Sequence, residues 1–262
     1  MKRFLRWLYK KRMILASALA ILGIWYLLLW LTNLPVFILP SPGLVADRFL
    51  EGISRGRLLY HIGVTVLEFL SGLLFGSLFA IVMGYLIAHS RKVEEFLAPI
   101  LAASQAIPVV AIAPLFVLWL GPGIWSKILV CAVIIFFPVL VNTVHGLKNL
   151  SPNYRALLST LGAGKKDYLY YLEIPATLPI FLNGLKIGAT LSVTGAVVGE
   201  FLGADRGLGY LINLARGQYD TAYVFAIIGI LVVLALSLYN FVEILERLLL
   251  HTGNIKENNE IF

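Results

Sequence analysis

Charge is scarce inside the apolar stretches of this chain, so the few ionisable groups there are the first candidates for chemistry. Glu68, Lys186 and Glu200 lie within or beside stretches that are otherwise almost wholly apolar. In lipid such a group is costly unless it pairs or serves a function. Glu68 falls about two helical turns into its stretch. Pairing with a neighbour or snorkelling fits it better than contact with a substrate. Lys186 suits a structural ion interaction. Glu200 ends its stretch just before Phe201-Leu202-Gly203-Ala204 and is a candidate for a gate or for a partner's docking point. Gln105 is an amide beside Ser104 in a proline-containing stretch. It suits either a pathway lining or a helix-to-helix hydrogen bond.

Conventional catalytic patterns are missing. His61, His89, His145 and His251 share no spacing, and no H-E-x-x-H helix, G-x-S-x-G elbow or paired aspartate occurs. Cys131 is the one cysteine, which excludes a disulfide within the chain and a cysteine metal cluster. No metal site and no catalytic residue is expected. A phosphate loop of the type G-x-x-x-x-G-K-[ST] is also lacking. A transport role driven by ATP would therefore need a separate ATPase.

The elements that must position these groups follow from hydropathy. Of 262 residues, 60% are hydrophobic and 13% charged, and the mean hydropathy is +0.88. Soluble domains are about 45–50% apolar and about 25% charged, so a soluble enzyme and a disordered chain are both excluded. Residues 13–31 carry no charge and span roughly 28 Å as a helix, close to the hydrocarbon thickness. This run is longer than a signal-peptide core and reads as a first transmembrane helix. Further apolar stretches at 62–88, 96–119, 128–147, 179–199 and 222–242 make six spans. Six of the 21 Lys/Arg precede the first span, and alternate loops place 14 on one side against six on the other. The positive-inside bias puts both termini in the cytoplasm. The net charge of +7 is thus a topology signal and gives no reason to expect nucleic acid.

The expected organisation is a basic cytoplasmic tail at 1–12, a six-helix transmembrane domain at 13–250 with an inner loop at 148–178, and a cytoplasmic tail at 251–262. Pro99, Pro108 and Pro114 make the third span irregular and central. Gly72, Gly76, Ala80 and Gly84 form a small-residue stripe that suits packing. Gly184, Gly188, Gly195 and Gly199 form another, open between packing and a moving or pathway surface. Trp25, Trp30, Trp119 and Trp125 sit near span ends as interface anchors. A short amphipathic helix is expected near 43–52. In the inner loop, Ser151-Pro152 starts a helix that Gly162 ends, and a second short helix from Lys166 is stopped at Pro175.

Residues 154–179 read Tyr-Arg-Ala-Leu-Leu-Ser-Thr-Leu-Gly-Ala-Gly-Lys-Lys-Asp-Tyr-Leu-Tyr-Tyr-Leu-Glu-Ile-Pro-Ala-Thr-Leu-Pro. This segment resembles the cytoplasmic coupling loop of ABC-importer permeases, whose pattern is E-A-A, three residues, Gly, nine residues, then I-x-L-P. Gly162 takes the glycine position and Leu172, Ile174 and Pro175 the closing positions. Ala156, Leu157 and Leu158 replace the E-A-A head. Leu39-Pro40-Ser41-Pro42, Ile107-Pro108, Ala113-Pro114-Leu115, Trp119-Leu120-Gly121, Phe136-Phe137-Pro138 and Gly207-Leu208-Gly209 are similar to permeases of the nitrate/sulfonate/taurine type.

The resemblance implies an all-α inner-membrane permease that imports a small solute by alternating access. It implies a second copy of the chain, a cytoplasmic ATPase holding ATP and Mg, and an extracytoplasmic solute-binding protein. No cofactor is implied on this chain. Coupling contacts fall on Ala156, Leu157, Leu158, Gly162, Ala163, Leu172, Ile174 and Pro175. Pathway or gate positions are Gln105, Pro108, Gly195, Gly199 and Glu200. The run 199–209 is closer to members that carry vitamin-type heteroaromatics, such as riboflavin or thiamine pyrimidine precursors, with sulfonate, taurine and nitrate left open. The rival is an ion-coupled secondary transporter, which calls for a repeat between halves and buried acidic ion sites; neither is evident in the sequence.

Overall fold

The computed structural model describes residues 2–32, 34–54 and 57–251. The described residues are helical, without a strand. Four helices are long and apolar enough to cross a membrane, and five spans result if one bent pair counts as one. The first expected span lies in α1, Lys2–Thr32, which also takes in the basic residues of the expected tail. Its described apolar section, Leu19–Thr32, is shorter than the other four. Of the expected tail at 251–262, residues from 252 onward lie outside the described residues.

One compact unit comprises residues 1–60 and 211–230. It holds α1 and the amphipathic α2, Pro42–Ser54. Trp25 is not a free anchor: its indole N–H donates to Pro40 O at 3.0 Å, and its ring lies 5.3 Å from that of Phe225. Arg48 of α2 pairs with Glu51 and, at 3.3 Å, with Asp220.

The second unit comprises residues 61–210 and 231–262. Most of α3, Arg57–His89, belongs to it, followed by α4, Arg91–Gln105, and α5, Val109–Leu120. The expected third span is not one rod, because α4 and α5 meet at 98°. Pro108 ends in extended backbone ahead of α5 and cannot donate a helical bond, so the turn falls at 106–108. Then come α6, Ile124–Lys148, and the loop helix α7, Pro152–Thr160. From α8, Lys165–Tyr168, the chain passes through a π turn, Leu169–Glu173, straight into α9, Ile174–Phe201. Lys165–Phe201 is one 37-residue span. Pro175 therefore does not stop a helix. The Ile174 N–H reaches back five residues to Leu169 O, and this wider turn accommodates the ring that a regular helix rejects. Helices α10, Leu208–Gly217, and α11, Thr221–His251, complete the chain.

The heart of this unit is α6 against α9. Built on the glycines of α9, a Cβ would meet Asn142 at Gly184, Ile135 at Gly188, Cys131 at Gly195 and Lys127 at Gly199, all at 2.7–3.0 Å. Rising numbers on one helix meet falling numbers on the other, so the two run antiparallel with backbones in close approach. The stripe on α3 also approaches α6 closely, with numbers rising together so that these two run parallel: Gly72 faces Cys131, Gly76 faces Ala132 and Gly84 faces Thr143.

Candidate functional site

Two ends of the second unit carry the candidate residues. At one end, α7 closes on Gly162, whose φ of +71° is a conformation that glycine adopts without penalty. Gly162 N–H donates to Ser159 O and Ala163 N–H to Leu158 O, both at 3.1 Å. These two bonds satisfy carbonyls left open at the helix end. The expected serine cap at the other end is not made by the Ser151 side chain, although Pro152 takes the first helical position. Asp167 accepts from Gly164 N–H at 2.7 Å and starts α8. Tyr168 OH donates to Arg155 O at 3.1 Å and ties α8 to α7.

The loop residues divide by exposure. Leu172 is buried, Leu158 and Ala163 are half-buried, and Ala156, Leu157, Gly162, Ile174 and Pro175 are exposed. Tyr154, Leu157 and Leu161 are 61%, 56% and 72% exposed. Their spacing of three and four sets them on one side of α7. A cavity of about 290 Å³ lies beside the π turn, lined by Tyr85, Leu169, Glu173, Thr177 and Phe181 among others.

The opposite end is built around Glu200. Its carboxylate is 1% exposed. It accepts from Thr65 Oγ1 at 2.6 Å and from Gly209 N–H. Thr65 Oγ1 in turn accepts from Leu208 N–H at 2.8 Å, and His61 Nδ1 accepts from Gly207 N–H at 3.0 Å. Three successive backbone donors opening α10 are thus taken by α3 and α9 side chains. Helix starts leave such donors free and favour a negative partner. Gly207 has a φ of +103°, and a Cβ there would lie 2.0 Å from Glu200 Oε1. The loop can wrap the carboxylate only because this residue has no side chain.

Glu68 does not snorkel. It is 1% exposed, neighbours the Glu200 carboxyl, and leaves Oε2 without a hydrogen bond. Lys127 falls by sequence among the charges of a connecting loop, yet it is 2% exposed. Its ammonium donates to Pro122 O and, at 3.0 Å, to Gly123 O. The signal available in sequence was its place one turn after Gly121-Pro122-Gly123, where the backbone carbonyls of a tight turn need a donor. Just beyond, Asp205 and Arg206 form a two-point pair at 2.8 and 2.9 Å. The Arg206 hydrogen bond holds the Asp205 carboxyl down at about 2.

The remaining candidates separate from these ends. Gln105 and Pro108 are exposed at the α4–α5 bend. Gly195 and Gly199 are buried in the α6–α9 contact. Lys186 pairs with Glu246 at 2.8 Å, tying α9 to α11. Among the described residues no group of three or more His, Cys, Asp or Glu could hold a metal ion.

Residues 72–251 match the family model described as binding-protein-dependent transport system inner membrane component. The riboflavin transport system permease protein RibX of Chloroflexus aurantiacus is 44% identical over 89% of this chain and 87% of its own. The formylaminopyrimidine transport permease protein ThiX of Halalkalibacterium halodurans is 41% identical over 82% and 85%. The putative aliphatic sulfonates transport permease protein SsuC of Bacillus subtilis is 32% identical over 90% and 86%.

Proposed function

Since the chain belongs to the binding-protein-dependent transport inner-membrane components, the multi-pass permease subunits of ABC transporters, we propose that it serves an importer of a vitamin-type heteroaromatic solute. What carries the energy-coupling part is the α7 knob. Its start is set by Pro152 and its end by Gly162, and it presents Tyr154, Leu157 and Leu161 outward. An exposed apolar face on a short helix closed by its C-terminal glycine turn suits a cleft in a partner protein. That partner is a cytoplasmic ATPase, which holds ATP and Mg. Ala156, Leu157, Leu158, Gly162, Ala163, Leu172, Ile174 and Pro175 form the coupling region.

In this reading six spans place both termini in the cytoplasm, 13–250 is the permease domain, and two copies make the channel. Basic residues favour the Gly162 side as cytoplasmic. Glu200 then lies at the outer end, where its loop serves as gate and faces the solute-binding protein. Gln105 and Pro108 at the bend suit the pathway, and Gly195 and Gly199 let α9 lie close enough to α6 to carry the gate. Inverting a 1:99 ratio of inward to outward states takes about 5.5 kcal/mol of differential binding, which a stiff knob can deliver and a loose loop would lose. The printed functions of two relatives, riboflavin and formylaminopyrimidine transport, support a heteroaromatic cargo. The more distant sulfonate relative keeps a sulfonate as the second reading.

Gly162→Asp is expected to abolish uptake while the protein still reaches the membrane. Full uptake by that variant overturns the coupling role. Competition between labelled riboflavin, formylaminopyrimidine and an alkanesulfonate for uptake by the complete transporter decides the cargo.

A further inference from the structure

Both ends of the loop are held to one corner of the second unit. His89 closes α3, and Ser90 caps α4 by accepting from Val93 N–H. The chain leaves α6 at Lys148, which pairs with Glu94 of α4. It returns through Glu173, the last residue of the π turn, which meets His89 Nε2 at 2.9 Å. The loop's departure and its return are thus tied within residues 89–94.

The chemistry of the His89 contact is specific. Its Nδ1 lies 2.9 Å from Tyr85 O, and its Nε2 faces the Glu173 carboxylate. Both partners are acceptors. A neutral imidazole has one N–H and can serve one of them; an imidazolium serves both. The Tyr85 ring stacks on the imidazole at 4.1 Å, which fixes its plane. Glu173 is 7% exposed, so losing this partner leaves a carboxylate in a poorly solvated place. The other ionisable groups around the corner are engaged or turned outward. Arg91 pairs with Glu95, His145 faces Asn149, Asp167 caps α8, and Lys92 is exposed.

We propose that His89 and Glu173 are positioning residues for energy coupling, forming with Lys148 and Glu94 a clamp that passes displacement of α7 to the α3–α4 corner. This rests on the coupling role given above to the loop. Breaking the His89–Glu173 contact from either side frees the returning end of the loop from that corner.

The test uses the full chain assembled with its ATPase in liposomes of bacterial polar lipid, with the solute-binding protein added. ATP hydrolysis is measured with and without the solute-binding protein, and the stimulation of each variant is read as a ratio to wild type. His89→Phe keeps a ring over Tyr85 and removes both nitrogens; Glu173→Gln removes the carboxylate. Each is expected to keep the ATPase bound and to lose at least about fivefold in stimulation, the low end of a site-to-site coupling, and the double variant to lose no more than the larger single loss, since both act through one contact. Flat ratios for both overturn the clamp. Should Glu173→Gln not accumulate in the membrane, the His89→Phe ratio decides alone. Gly162→Asp run in parallel separates the two readings. If it leaves ATPase retention and stimulation intact, the loop role itself fails. If it abolishes them while the clamp variants stay flat, only the clamp fails.

Discussion

Glu200 is held by a loop that leaves no space for side chains. Gly207→Ala would bring a Cβ within 2.0 Å of its Oε1 at a φ of +103°. The expected cost is at least about 1–3 kcal/mol, measured as a lower unfolding temperature in detergent. Gly162 makes the opposite case: a Cβ there meets nothing within 4 Å, and only its φ of +71° resists. Asn visits that conformation and β-branched residues do not. Gly162→Asn should therefore keep ATPase copurification; Gly162→Val should lose most of it through the backbone, and Gly162→Asp through the charge it would bury in the partner's cleft. Asp205 answers to pH. A carboxyl lowered to about 2 by Arg206 keeps the pair above its unfolded value and loses it as pH falls through about 2. Acidifying the exterior from pH 7 to 4 should leave the Asp205 carbon shift unmoved in a labelled sample. Glu200 was legible as a functional candidate because a lone acid in an apolar run stands out. Lys127 was not: counting charges by loop assigns a lysine to water, and only the fold reveals that the Pro122 and Gly123 carbonyls claim it.

Helices repeat the lesson at larger size. The apolar runs of α3, α6, α9 and α11 were readable because nothing else makes such runs, and the glycine stripes announced close packing. Gly195→Val would force Cβ atoms toward Cys131 Cα, already 2.9 Å from an ideal Cβ. Prising α6 from α9 should cost about 1–3 kcal/mol, with loss of monodispersity on warming as the measurement. Proline was the weaker guide. Three prolines marked the third span as irregular, yet only Pro108, in extended backbone, sits at the 98° turn, while Pro99 and Pro114 lie within helices. Pro175 was read as a stop, but the π turn before it, invisible to residue propensity, lets the helix run on. The α7 boundaries, by contrast, were written locally in Pro152 and Gly162, and the structure keeps them.

Across the whole chain, apolar surface is what fixes residence. Large side chains such as Leu74, Leu118, Trp119 and Leu236 are more than half exposed, which only lipid or a protein partner makes tolerable. The proposed orientation is checked by fusion: alkaline phosphatase joined after Asp205 should be active, and joined after Gly162 inactive. The reverse pattern would invert the assignment of both ends. The unbroken 37-residue course of Lys165–Phe201 has a mechanical corollary. At about 1.5 Å per residue it is a strut roughly 55 Å long, longer than the greasy layer it crosses. A strut cannot tilt at its foot without tilting at its crown. If the proposed reading holds, whatever leans on the foot sets the phase of both doorways at once, and a turnstile built this way needs no messenger between them.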